Sequence, residues 1–168
     1  MSMIGEYARL TPAELDRATA DPEWAEELVQ GMVDAEEEAG PGGAADPRCH
    51  STYKTWHALE FLLKRAGFPV DVVFGEEAVP GAEDWGYGPP RFLGPERVRV
   101  AAEALAATPP AALVEGVGPK DLAAAEVYPA GVWERGESLD WVTSHYEVLV
   151  AYFQSAAKAG DAVVMWLD

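Results

Sequence analysis

The sequence predicts an α/β protein of the α+β kind: one domain, with a mixed β-sheet and helices packed on both of its faces. Three observations carry this. Apolar segments with strand periodicity alternate with segments of helical periodicity, in the order strand, helices, strand, helices, strand. The segment AVVMWL, residues 162–167, is apolar on both alternating faces, as in a strand covered by a layer on each side. The chain has 168 residues, 49% of them hydrophobic, with a mean hydropathy of -0.10, which suits one globular core rather than disorder.

The elements follow in order. Ile4 to Leu10 reads as a strand. Thr11 then caps a helix, Pro12 fits its first position, and Glu14 completes a capping box. Leu10 and Leu15 occupy the positions of a hydrophobic staple. Asp21-Pro22 repeats the signal and opens a second helix to about Glu38, with Trp24, Leu28, Val29 and Met32 toward the core. The stretch from about 34 to 48 is an acidic and Gly-rich insertion that ends in a loop. Residues 52–66 have helical spacing. Trp56, Leu59, Leu62, Leu63 and Ala66 share one face, and Tyr53, His57, Glu60 and Lys64 the other. VDVVF, residues 70–74, reads as a strand. Gly94-Pro95-Glu96 opens a helix to about Ala107, and short helical pieces are expected near 110–114 and 119–126. Ser138 caps a last helix to Ala159, apolar over so much of its surface that it should be largely covered.

Composition narrows the function. The net charge is -17, and residues 13–38 hold ten Asp or Glu against one Arg. Phosphate-directed nucleic-acid binding and anionic membranes both require basic surfaces, so neither is an expected partner. A basic protein partner fits the charge. No apolar run approaches a membrane span, the N-terminus has no signal-peptide pattern, and the lone Cys49 gives no internal disulfide, so a cytoplasmic location is expected. Oligomeric state is not encoded in any of these patterns.

Catalytic motifs are sparse. Ser51-Thr52-Tyr53-Lys54 has Ser-x-x-Lys spacing, but Ser-Asp-Asn and Lys-Thr-Gly are missing, and a helix cap explains Ser51 more simply. The histidines and Cys49 lack paired-ligand spacing, so no metal or other cofactor is expected. His57 lies one turn from Glu60, an arrangement able to support acid–base work but equally an ordinary intrahelical contact. The stretch EDWGYGPPRFL, residues 83–93, combines Asp84, Trp85, Tyr87 and Arg91 with two glycines and two prolines. It reads as a pre-shaped loop, suited either to recognition or to a connector whose aromatics plug the sheet edge. It is expected to be ordered, docked near the Trp56–His57 helix, with Arg91 paired to Glu83, Asp84 or Glu60.

Five segments occur in order: MSMIGEYARLTPAEL, WHALEFLL, EDWGYGPPRFLGPERV, AAAEVYPAGVW and AAKAGDAVVMWLD. Together they resemble the YfbM-like family of bacterial proteins, a domain of unknown function, across nearly the whole chain. The resemblance implies a single compact domain with a sheet between helical layers, and no particular activity. It marks Trp56, His57, Gly86, Tyr87, Gly88, Arg91, Tyr128 and Pro129 as recurrent positions. Two functional readings follow. One is a non-catalytic, immunity-like or regulatory protein that binds a basic partner. The other is a small ligand-binding protein or hydrolase-like enzyme with a His57-centred pocket, drawing on Trp56, Glu60, Tyr87, Arg91 and Tyr128.

Overall fold

The computed structural model describes residues 2–168. Five strands form one sheet in the order β2-β1-β5-β4-β3, where β1 is Gly5–Leu10, β2 Cys49–Tyr53, β3 Glu77–Ala78, β4 Arg91–Leu93 and β5 Ala162–Leu167. Every pairing is antiparallel, so the α+β class holds while the expected mixture of strand directions is absent. Parallel neighbours need a crossover that returns the chain to the same end of the sheet. Here every neighbouring pair runs in opposite directions, whatever length of chain joins it.

The apolar tail takes the central place its pattern requires. β5 lies between β1 and β4, with Val163 and Met165 buried on one face and Val164 on the other. Trp166 is half-buried. On the Val164 face lie α1 (Pro12–Ala20) and α2 (Pro22–Ala39), which bury Ala18, Ala25 and Val29 against Ala8, Leu10 and Phe92. On the Val163 face lie α3 (Trp56–Arg65), α4 (Pro95–Ala106) and α7 (Asp140–Ala159). The short helices α5 (Pro110–Leu113) and α6 (Pro119–Ala124) close that larger core with Leu113 and Leu122.

Local signals set the helix starts. Thr11 and Glu14 form the expected capping box, and the Asp21 carboxylate accepts from the Trp24 backbone N–H at 3.1 Å. Ser138 stands two residues before the first residue of α7 and accepts from the Asp140 N–H at 3.1 Å, while Leu139 holds the capping position in place of the expected Ser138. α7 is covered along Val142, Tyr146, Leu149 and Phe153, but Val148 on its second apolar face is exposed.

Three segments differ from expectation. Residues 49–53 form edge strand β2, not the end of a loop and the start of a helix, and α3 begins only at Trp56. Thr52 is fully buried, with its hydroxyl 3.3 Å from the Gly5 carbonyl, and Tyr53 turns the chain with φ +54°. Ser51 is therefore no helix cap, and Lys54 does not stand one helical turn from it. Residues 70–74 form a turn, not a strand. The Asp71 carboxylate accepts from the N–H groups of Val73 and Phe74, so the short polar side chain bends the backbone while Val70, Val72 and Val73 still point inward. Residues 91–93, within the expected loop, are strand β4, paired with β5 through Phe92 and Val164.

Candidate functional site

The sequence-derived residues separate into distinct places. Trp56 is buried at the start of α3, donates its indole N–H to the Met3 carbonyl at 3.0 Å, and stacks with both His57 and Tyr128. His57 Nδ1 accepts from the Tyr128 backbone N–H at 2.9 Å, which leaves the imidazole proton on Nε2 in the neutral form. The Tyr128 hydroxyl accepts from the Met3 N–H at 2.9 Å. These three residues clamp the first strand's entry to the 128–129 turn. Glu60 pairs with Lys64 one turn on and borders a small apolar cavity of about 170 Å³ with Phe68 and Val70.

Arg91 finds carbonyls rather than carboxylates. Its guanidinium donates to the backbone oxygens of Gly75 at 3.3 Å and Glu76 at 2.9 Å. The expected pairing with Glu83, Asp84 or Glu60 is not formed, because β4 carries Arg91 onto the face of Met165, where the 75–76 turn lies closest. Tyr87 is exposed and shares with Arg91 and Phe74 a cavity of about 320 Å³. His57 borders neither this cavity nor the Glu60 one.

Backbone hydrogen bonds tie the 83–93 loop to itself and to the end of β5. Trp85 N–H donates to the Gly88 carbonyl at 2.9 Å, and Tyr87 N–H to the Leu167 carbonyl at 2.8 Å. Gly86 has φ +121°, and a Cβ there would stand 2.6 Å from the Leu167 oxygen. Only glycine lets the loop lie against the end of β5. The result places Trp85 edge-to-face on Trp166, centroids 5.4 Å apart, on the α2 side of the sheet rather than beside α3.

That docking builds one wall of the most strongly acidic concavity. Glu6 and Trp166 stand side by side on β1 and β5 by register and form its floor, with Ser51 next to Glu6 on β2. Glu26, Gln30, Val33 and Glu37, spaced along one side of α2, form a second wall. Asp84, Trp85 and Asp168 complete a cavity of about 430 Å³. A second cavity, of about 500 Å³, continues from Glu6, Val33 and Glu37 toward Pro41, Pro47 and Cys49. The two share those first three residues and so adjoin beneath α2, where together they make up the channel discussed below. Among the described residues, no lysine or arginine lines either cavity.

The channel's electrostatics follow from that lining. Burial pushes the Glu6 carboxyl up to about 7, against the hydrogen bond from Ser51 Oγ at 3.2 Å, and Asp168 and Glu37 add to the rise. Burial, with Glu36 beside it, raises the Cys49 thiol as well, so this sulfur is held protonated rather than activated. Glu36 itself accepts from the Cys49 backbone N–H at 3.0 Å and so blunts the β2 edge. His50, on the opposite face of β2, stacks on Tyr152 at 5.1 Å, and burial lowers its imidazole to about 4. Among the described residues, no group of three or more His, Cys, Asp or Glu is arranged to hold a metal ion, and no helix is long and apolar enough to cross a membrane.

Of the sequence candidates, Asp84 and Trp85 line this channel. Trp56, His57, Glu60, Tyr87, Arg91 and Tyr128 do not. Glu6, Glu37, Trp166 and Asp168 were not anticipated. Alternation along GEYARL carries one signal: Glu6 shares a face with Ala8 and Leu10, a carboxylate in an inward row.

Comparison with known proteins agrees with the topology. The crystal structure of YfbM from Escherichia coli, a protein of unknown function, superposes with a TM-score of 0.59 at 17% identity, covering 98% of this chain and 99% of that one. The likeness is one of fold. No curated protein matches the sequence. The profile of the domain of unknown function DUF1877 matches residues 1–166, and the chain belongs to the DUF1877 family.

Proposed function

We propose that this protein is a non-catalytic binding protein, immunity-like or regulatory, whose partner is a basic protein. The observation that carries the reading is the channel beneath α2: carboxylates and tryptophans line it, and among the described residues no lysine or arginine does. A surface built this way gains most from a cation supplied by another molecule. The net charge of -17 extends the same field outward and would steer a basic partner toward it.

The geometry gives less to an enzyme. His57 is engaged by a backbone N–H, Arg91 by two carbonyls, and Cys49 is held as the thiol. Each of these side chains is occupied in holding the fold.

The test is capture from an extract of the source organism at low salt, followed by rebinding of the captured protein in pure form. A basic partner that rebinds and is released as salt rises is the expected result. Failure to recover any salt-released basic protein overturns the reading.

A further inference from the structure

We infer that the channel beneath α2 receives a short basic segment of the partner, with one arginine or lysine side chain seated between Trp85, Trp166 and the carboxylates of Glu6, Glu37 and Asp168. This rests on the binding reading above and names both the place and the contact.

Three observations converge on that seat. Glu6 stands at the junction of the two cavities, and the hydrogen bond it receives comes from a neutral group, Ser51. Glu37 faces it from α2 and Asp168 from beyond the end of β5, while Asp84 approaches from the loop. Farther along the channel are Glu36 and the protonated Cys49 thiol. The tryptophan pair supplies a wall on which the aliphatic stem of a long cationic side chain can lie, with its head toward the carboxylates. The acidic field also continues past the channel. Glu26 and Gln30 belong both to it and to a shallow depression on the outer side of α2, lined by Glu23, Glu27 and Asp34. A single small cation would leave those charges unanswered, whereas a segment with several positive side chains meets both.

The seat makes binding proton-linked. In the free protein Glu6 holds a proton over much of the range below pH 7, because burial and its acidic neighbours disfavour the charge. A cation in the seat favours the carboxylate and displaces that proton.

The probe is a nona-arginine peptide, with deca-lysine as a second, titrated calorimetrically into the full chain at low salt. Titrations at pH 6 and pH 8, each in two buffers of different ionisation heat, count the protons released. About one proton should leave per peptide at pH 6 and about a tenth of one at pH 8, with affinity about tenfold higher at pH 8. Glu6→Gln should abolish both the proton release and the pH dependence. Glu115→Gln, a change to an exposed acid outside the channel, should leave them unchanged. Circular dichroism confirms that each variant is folded. Binding that releases no proton and ignores Glu6→Gln overturns this placement and leaves the broader reading standing. No binding of either peptide also overturns it, while the capture experiment judges the broader reading separately.

Discussion

Glu6 sits in a strand row whose other members, Ala8 and Leu10, are fully buried, and that neighbourhood governs its titration. Its folded value of about 7 lies above the ordinary 4.5, so the folded protein binds the proton more tightly than the unfolded chain. The stabilising contribution is complete below about pH 4.5 and is lost as pH rises through 7. Discounted for partial solvent access, the loss amounts to about 1–2 kcal/mol. Urea midpoints should fall between pH 5 and pH 8, and Glu6→Gln should flatten that part of the profile. Arg91 gives a second residue-level test. Removing its guanidinium frees the Gly75 and Glu76 carbonyls, so Arg91→Ala should lower stability by about 1 kcal/mol in chemical denaturation. Glu6 was hard to read in advance because alternation shows which face a residue joins, not whether a helix lies flush against that face. Trp85 was legible as a docking aromatic, since a large ring in a stiff loop loses too much by staying wet. Its partner Trp166 follows from register, which no single strand discloses.

At the level of elements, helix boundaries were the most legible part. Thr11-Pro12 and Asp21-Pro22 each combine a capping oxygen with a residue that fits only the first turn. Strand β2 was hidden because Ser-Thr-Tyr precedes a strong helical pattern with no breaking residue between them. The break is made by Tyr53 at positive φ, a conformation its side chain does not advertise. Residues 70–74 show the opposite case: four apolar residues argue for a strand, and Asp71 overrides them by bonding forward to the backbone. The docked 83–93 loop has its own vulnerable point. Gly86→Ala adds a methyl that collides with the Leu167 carbonyl and imposes an unfavourable φ. The variant should unfold more readily by about 1–3 kcal/mol and lose the Trp85–Trp166 contact, seen as a change in the near-ultraviolet dichroism of the tryptophans. In β5, Val164→Ala removes buried methyls between Ala8 and Phe92 and should cost about 1–3 kcal/mol by calorimetry, with the secondary structure retained.

For the whole molecule, the α+β class was legible in AVVMWL, because a strand apolar on both sides needs two covering layers. The all-antiparallel arrangement was not, since strand direction depends on how the intervening chain returns, and sequence periodicity carries no sign of direction. The charge was legible as a total but not in its focus. Of the acidic run in residues 13–38, Glu26 and Glu37 turn toward the channel while Glu23 and Glu27 face outward. Self-repulsion at a net charge of -17 opposes compaction, so screening should help the fold. The melting temperature should rise by several degrees between low salt and about 0.5 M sodium chloride, and a fall over that range would mean that screened attractions outweigh the repulsion.

The central position of β5 also bears on how the protein comes into being. Strands β1 and β4 have no pairing with each other; β5 joins them. During translation β1 leaves the ribosome more than 150 residues ahead of β5, which covers the edge that β2 leaves open. Until that strand arrives, β1 and β4 present open edges to any neighbouring nascent chain. Pairing across such a separation is slow, because the loop must close before any contact rewards it. A nascent chain stalled before Ala162 should therefore be protease-sensitive and prone to aggregate, and release of the remaining residues should convert it to a resistant form in one cooperative step.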